Sequence, residues 1–264
     1  MKKYWMLIKN TWDEALVYRL NFILWRVRVV IRFLITYFLW SSIYSGNQQF
    51  FGYSREMMLT YVLMVYLVSN FVFATRTQNI GSEINEGKLT NYLLKPFNYF
   101  ISLGARDVSD KLLNFGCTVF EFAIIYLLFR PPFFFQENLG LIILAVVAFV
   151  GAVGVYFCIS VLLGFLGFWT SEVWATRFIF IILLDFVAGN FFPIDILPKI
   201  VSQILMLTPF PYMFYFPVKV YLGQLTTSAT IQGFGVMAVW VFLLTKAMFL
   251  VWRKGLKVYS AEGR

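Results

Sequence analysis

Two glycines, a lysine and two carboxylates crowd into one short polar stretch, and their order suggests phosphate chemistry. In Gly81-Ser-Glu-Ile-Asn-Glu-Gly87-Lys88-Leu89 the glycines precede the lysine, as they do where backbone N–H groups cradle a nucleotide phosphate. That loop requires four residues between the glycines and Ser or Thr after the lysine. Here five intervene, Leu89 follows, and no β-strand precedes the stretch. The expectation is that this chain binds no ATP itself.

Other chemistry is scarce. The chain has no histidine, which removes the commonest general base and the commonest metal ligand together. No catalytic, cofactor-binding or metal-ligating set can be named. Cys117 and Cys158 both lie in apolar runs, where free cysteine behaves as a small buried hydrophobe. Glu121, Asp185 and Lys246 also lie in apolar runs. Lys246 is seven residues before Arg253, about 10 Å along a helix, so it can snorkel. Glu121 and Asp185 either line a polar path or pair inside a bundle.

The elements holding these residues are set by composition. Of 264 residues 60% are hydrophobic, 20% aromatic and only 13% charged, whereas soluble domains average about 25% charged. The apolar residues form runs of roughly the 20 residues needed to cross a bilayer. An all-α integral membrane protein of one domain follows, with spans expected at about 27–44, 57–75, 112–129, 139–168, 178–192 and 231–252. Arg26, Arg28 and Arg32 at the start of the first span are expected to snorkel to the headgroups or face other protein. Run 139–168 has 30 uncharged residues, about 45 Å as a helix against a core of about 30 Å, so it must tilt, bend or project. Gly151, Gly154, Gly164 and Gly167 permit close helix packing within it.

Before the first span, residues 1–21 read as an amphipathic interfacial helix, with Trp5, Ile8, Trp12 and Ala15 on one face; a packed cytoplasmic helix is the alternative. Between the last two spans, Pro193, Pro198, Pro209, Pro211 and Pro217 break a largely apolar segment, 193–224, which reads as re-entrant half-helices on the outer side. The aromatics Tyr212, Phe214, Tyr215, Phe216 and Tyr221 within it suit an amphiphilic substrate or an interfacial belt.

The net charge of +9 records orientation better than nucleic-acid binding. With the N-terminus inside, 17 of the 22 Lys and Arg residues fall on the inner side and four outside, which places both termini and segment 76–111 in the cytoplasm. Within that segment Ile84, Leu89, Leu93 and Leu94 are expected to face the bundle. Glu83, Glu86, Lys88 and Lys95 are expected to meet water or a partner. Gly87 weakens the helix and Pro96 ends it. A solvated surface helix is the plain alternative.

The pattern from Glu83 to Pro96, E-I-x-x-G-x-L-x-x-x-L-L-K-P, resembles the central cytoplasmic motif of the membrane-spanning subunits of ATP-binding cassette exporters, in the type-2 permease class of drug and polysaccharide exporters. Gly189-Asn-Phe-Phe-Pro-Ile-Asp-Ile-Leu-Pro198, the segment from Thr208 to Gly223, and Tyr18-Arg19-Leu20-Asn21-Phe22 are similar to that family as well. The resemblance implies six spans with a cytoplasmic coupling helix formed by Glu83, Glu86, Gly87, Lys88, Leu89, Leu93, Leu94 and Pro96. It further implies a re-entrant segment marked by Gly189, Pro193, Pro198, Pro209, Pro211 and Pro217. The implied partners are a separate cytoplasmic ATPase subunit, which carries the ATP and magnesium, a second permease copy and the lipid bilayer. The implied location is a bacterial or archaeal plasma membrane. The implied activity is export of a hydrophobic, lipid-like or glycan substrate. A polytopic lipid enzyme and an ion-gradient-driven transporter are the alternatives, the latter without a visible inverted repeat.

Overall fold

A computed structural model describes residues 19–46, 49–94 and 98–260. The expected N-terminal interfacial helix, apart from its last residues, and the Lys95 and Pro96 positions lie outside the described residues.

The described chain is all-α save one two-stranded antiparallel hairpin, β1 (Gln49–Phe50) with β2 (Tyr53–Ser54), registered Gln49 to Ser54. Helices stand at each of the six expected span positions: α1 (Arg19–Ile43), α2 (Arg55–Val72), α5 (Tyr99–Phe129), α6 (Leu139–Phe165), α7 (Val173–Val187) and α10 (Thr227–Leu256). Between α2 and α5 lie a 3-10 turn (Arg76–Asn79), α3 (Ile80–Asn85) and α4 (Thr90–Leu93). Between α7 and α10 lie α8 (Lys199–Met206) and α9 (Tyr215–Tyr221), flanked by short 3-10 turns.

Among the described residues three helices are long and apolar enough to cross a membrane: α5, α10, and α6 with its 3-10 continuation to Phe168. A fourth candidate is α2 taken with residues 76–85, bent by 49°. Every 18-residue window of α1 carries at least three arginines, and α7 has only 15 residues, so neither meets that measure.

Local chemistry explains where the helices begin and end. Ser54 Oγ accepts Met57 N–H at the start of α2 and Asn98 Oδ1 accepts Ile101 N–H at the start of α5. Asn138 Oδ1 accepts Gly140 and Leu141 N–H at the start of α6, and Thr226 Oγ1 accepts Ala229 N–H at the start of α10. Each satisfies an otherwise orphaned donor of a helix first turn. Arg130, at φ 41°, stops α5 in the left-handed region just before Pro131 and Pro132. The third span was expected to begin near 112, but α5 starts 13 residues earlier. Its polar first half folds as helix because Arg106, Asp107, Asp110 and Lys111 all find ionic partners.

The core lies along α6, which packs most extensively on α10 and α9. Phe214, Phe216, Met213 and Val218 are fully buried there, with Tyr212 and Tyr215 nearly so. These four aromatics pack in the interior, where an interfacial belt was the expectation, while Tyr221 is half-buried. Gly151, Gly164 and Gly167 meet Met237, Ile80 and Gly81 respectively, so close packing within this chain accounts for them, while Gly154 has an open flank.

Candidate functional site

Two parts of the molecule concentrate polar chemistry: the α3–α4 segment at one end of the bundle, and charge clusters within the helices.

The α3–α4 segment is clamped. Ile80, Ile84 and Leu89 are buried beside Phe165, Phe168, Tyr99 and Met248, which joins the segment to the ends of α6, α5 and α10. Gly81 lies directly on Gly167; a Cβ placed on Gly167 would sit 2.8 Å from the Gly81 carbonyl oxygen. Glu83 turns inward and accepts from Arg106 Nη2 of α5 at 2.8 Å. The turn after α3 passes through Gly87 at φ +70°, a conformation that side chains resist. It is held from the far end of the chain by Tyr259, whose hydroxyl donates to Gly87 O at 2.8 Å and accepts from Thr90 N–H at 3.0 Å.

The exposed surface of this segment differs from the sequence expectation. Leu93 is 44% and Leu94 81% exposed, so neither anchors the segment to the bundle. Glu83, expected outside, is half-buried and paired. The reason is the break at Gly87: α3 and α4 are separate short helices, and one helical wheel does not run through both. Glu86 and Lys88 do lie at the surface, paired with each other, and Glu86's hydrogen bond and charge raise the Lys88 pKa.

Behind this segment the Thr75–Thr77 turn is fixed to α6 and α7. Arg177 is buried and donates to Ser160 Oγ at 2.7 Å, Ser160 O at 2.8 Å and Thr77 O at 3.2 Å. Lys111 is likewise buried, donating to Ala74 O at 2.7 Å and to Asp107 at 3.0 Å.

Arg26 and Glu121 form a further cluster within the helices. Arg26 Nε donates to Glu121 Oε1 at 2.7 Å, and Nη2 also contacts Glu121. Asn114, Thr118 and Asn70 accept its remaining donors, and Tyr66 donates its hydroxyl to Glu121 Oε2 at 2.6 Å. Arg26 therefore does not snorkel: it is 6% exposed and ties α1 to α2 and α5. Glu121 is a bundle-interior group. Arg32, two turns further along α1, stands 2.6 Å from Asp185 of α7 and does not snorkel either. Lys246 lies over the Phe242 ring at 5.1 Å.

At the opposite end, Lys219 of α9 donates to Tyr53, Asp195 and Gln224 at 2.7, 2.8 and 2.7 Å, fastening the hairpin to the proline-broken segment. Tyr53 also donates to Asp195, and burial together with that carboxylate raises its pKa far above the usual phenol value. Pro193, Pro209, Pro211 and Pro217 are buried there and Pro198 exposed, while Gly189, at φ +81°, receives the Tyr61 hydroxyl on its carbonyl at 2.6 Å.

Among the described residues no group of three or more His, Cys, Asp or Glu side chains is placed to hold a metal ion. The arrangement offers a clamped, partly exposed surface segment and buried charge pairs. Sequence reasoning missed Arg106, Arg177 and Tyr259, because their partners come from distant parts of the chain. Compared with protein families, residues 30–263 match the family described as ABC-2 family transporter protein. No curated protein matches the chain.

Proposed function

The chain belongs to the ABC-2 transporter family, and from that premise we propose that it is the membrane permease subunit of an ATP-driven exporter, paired with a second permease copy and two ATPase subunits. In this reading the six long helices all span the membrane, both termini and the α3–α4 segment face the cytoplasm, and segment 193–224 is re-entrant on the outer side. The partner ATPase binds ATP and magnesium, and the cargo is hydrophobic, lipid-like or a glycan.

The observation that carries the proposal is the two-sided α3–α4 segment. One side is locked by Ile84, Leu89 and the Gly81 contact, while Glu86, Lys88, Leu93 and Leu94 stand uncovered on the other. An exposed leucine pair beside an exposed ion pair suits a protein partner. Because the segment is held by Arg106 of α5, Gly167 after α6 and Tyr259 after α10, a push on it acts on three long helices at once. ATPase closure would then shift the bundle between two arrangements.

Co-purification with the ATPase tests the reading. Leu94→Asp and Leu93→Asp are expected to detach the ATPase while leaving the permease folded, and Gly87→Pro to uncouple ATP hydrolysis from transport. An intact complex purified without any ATPase, or full transport by all three variants, overturns it.

A further inference from the structure

Two arginines on α1 meet different fates, and the difference marks a binding site. Arg26 is saturated by Glu121, Asn70, Asn114 and Thr118. Among the described residues Arg32 is paired with one charged group. Its Nη2 is 2.6 Å from Asp185 Oδ1, at an angle that makes a charge contact and no aligned hydrogen bond, and its guanidinium lies over Phe191 at 4.8 Å.

The Arg32 side chain as a whole remains 35% exposed, although its Nη2 is buried, whereas Asp185 is 9% exposed and its Oδ1 also accepts from the Asn190 side-chain amide at 2.8 Å. Of this pair the cation is the reachable member, and the carboxylate keeps a partner if the cation leaves.

Position makes this costly unless it is used. Arg32 lies about 20 Å along α1 from Arg19 and about 16 Å from Ile43, far from either helix end. A half-open charge at such depth faces protein, water or a polar ligand and not hydrocarbon. It opens onto a cavity of about 70 Å³ with Thr36, Ser69, Asn70 and Asn190 in its wall. That is room for roughly two waters, or for one small anionic group. A second cavity of about 350 Å³ shares Trp25 and Phe73 with the first and is lined by Asn21, Gln78 and Asn79 at the α3 end. The two cavities meet at the Trp25 and Phe73 rings, with polar residues on either side of that junction. One turn from the pair, Ile35 on α1 and Ile182 on α7 are 63% and 44% exposed, which leaves an apolar surface beside the charge.

We propose that Arg32 receives the anionic head group of an amphiphile, which displaces Asp185 from the guanidinium while its hydrocarbon chain lies along the apolar faces of α1 and α7. This rests on the permease reading for its use in transport. The recognition itself needs no ATPase. A planar guanidinium with free donors favours phosphate or carboxylate oxygens.

The test uses the full chain purified in dodecyl maltoside micelles, with the melting midpoint followed during titration with dodecyl phosphate, dodecyltrimethylammonium or inorganic phosphate. Dodecyl phosphate is expected to raise the midpoint saturably, and the other two to leave it unchanged. Asp185→Asn, which removes the competing carboxylate, is expected to half-saturate at lower dodecyl phosphate. The double variant Arg32→Gln/Asp185→Asn, which leaves no buried charge unpaired, is expected to bind about tenfold more weakly or not at all. The proposal is overturned if the double variant titrates like the unaltered chain or if the cationic amphiphile binds equally well. A full shift with inorganic phosphate alone overturns the amphiphile assignment. Loss of ATPase pull-down with this titration intact would count against the permease reading only.

Discussion

Arg26 and Glu121, 95 positions apart, meet inside the bundle with Nε 2.7 Å from Oε1, and around them α1, α2 and α5 are joined. Glu121→Ala leaves the arginine charged, buried and without its counterion. Breaking such a pair from one side costs about 3–5 kcal/mol. The variant is expected to melt well below the unaltered protein in micelles, while Arg26→Met/Glu121→Leu recovers most of that loss. Equal melting of the single and unaltered proteins would show that the pair contributes nothing.

That cluster also shows what was legible in the sequence. Helix positions are readable because apolar run length is a local signal, but run length alone does not find the start of α5, which the Asn98 cap sets 13 residues before the apolar run. The destination of Arg26 is not readable, because residues 26, 66, 70, 114, 118 and 121 converge only after three helices pack. The same limit hid the inward turn of Glu83, whose partner Arg106 lies on α5. Leu94 departs from its expected inward face for a nearer cause: one helical wheel cannot run through Gly87, where the chain turns at φ +70°. Interior aromatics such as Phe214 and Phe216 looked interfacial because membrane interfaces and bundle cores draw on the same residue types.

Lys219 predicts how the hairpin is held. Its ammonium is the shared donor for Tyr53, Asp195 and Gln224, so Lys219→Met removes three hydrogen bonds and leaves Asp195 with only the Tyr53 and Tyr215 hydroxyls facing it and no cation. Charge-assisted bonds of this kind contribute about 1.5–3 kcal/mol. Residues 49–54 are expected to become protease-sensitive while the Arg26 cluster stays intact. Unchanged cleavage of that loop would assign its placement to apolar packing.

Tyr259→Phe addresses the link between the C-terminal region and the α3–α4 turn. It keeps the ring against Phe168 and removes only the hydroxyl that bridges Gly87 O and Thr90 N–H. The net loss is expected to be about 1 kcal/mol, so global melting should barely move. Amide exchange at residues 87–94 should accelerate severalfold. Exchange that stays as slow as in the unaltered chain would mean that Leu89 burial alone fixes the turn.

Gly167→Ala and Gly116→Ala should have opposite signs. A Cβ at 167 would lie 2.8 Å from Gly81 O and 2.9 Å from Gly81 Cα, and both are backbone atoms that no rotamer change can move aside. The α3 segment must therefore lift from the end of α6, with an overpacking cost of about 1–3 kcal/mol. A Cβ at 116, within α5, meets nothing within 4 Å. There the substitution only removes backbone freedom from a helix interior and should stabilise by about 0.5–1 kcal/mol. Melting curves of the two variants should bracket the unaltered protein, and ATPase binding should weaken in Gly167→Ala alone. If both variants melt together, the Gly81 contact is not the close packing that locks α3 to α6.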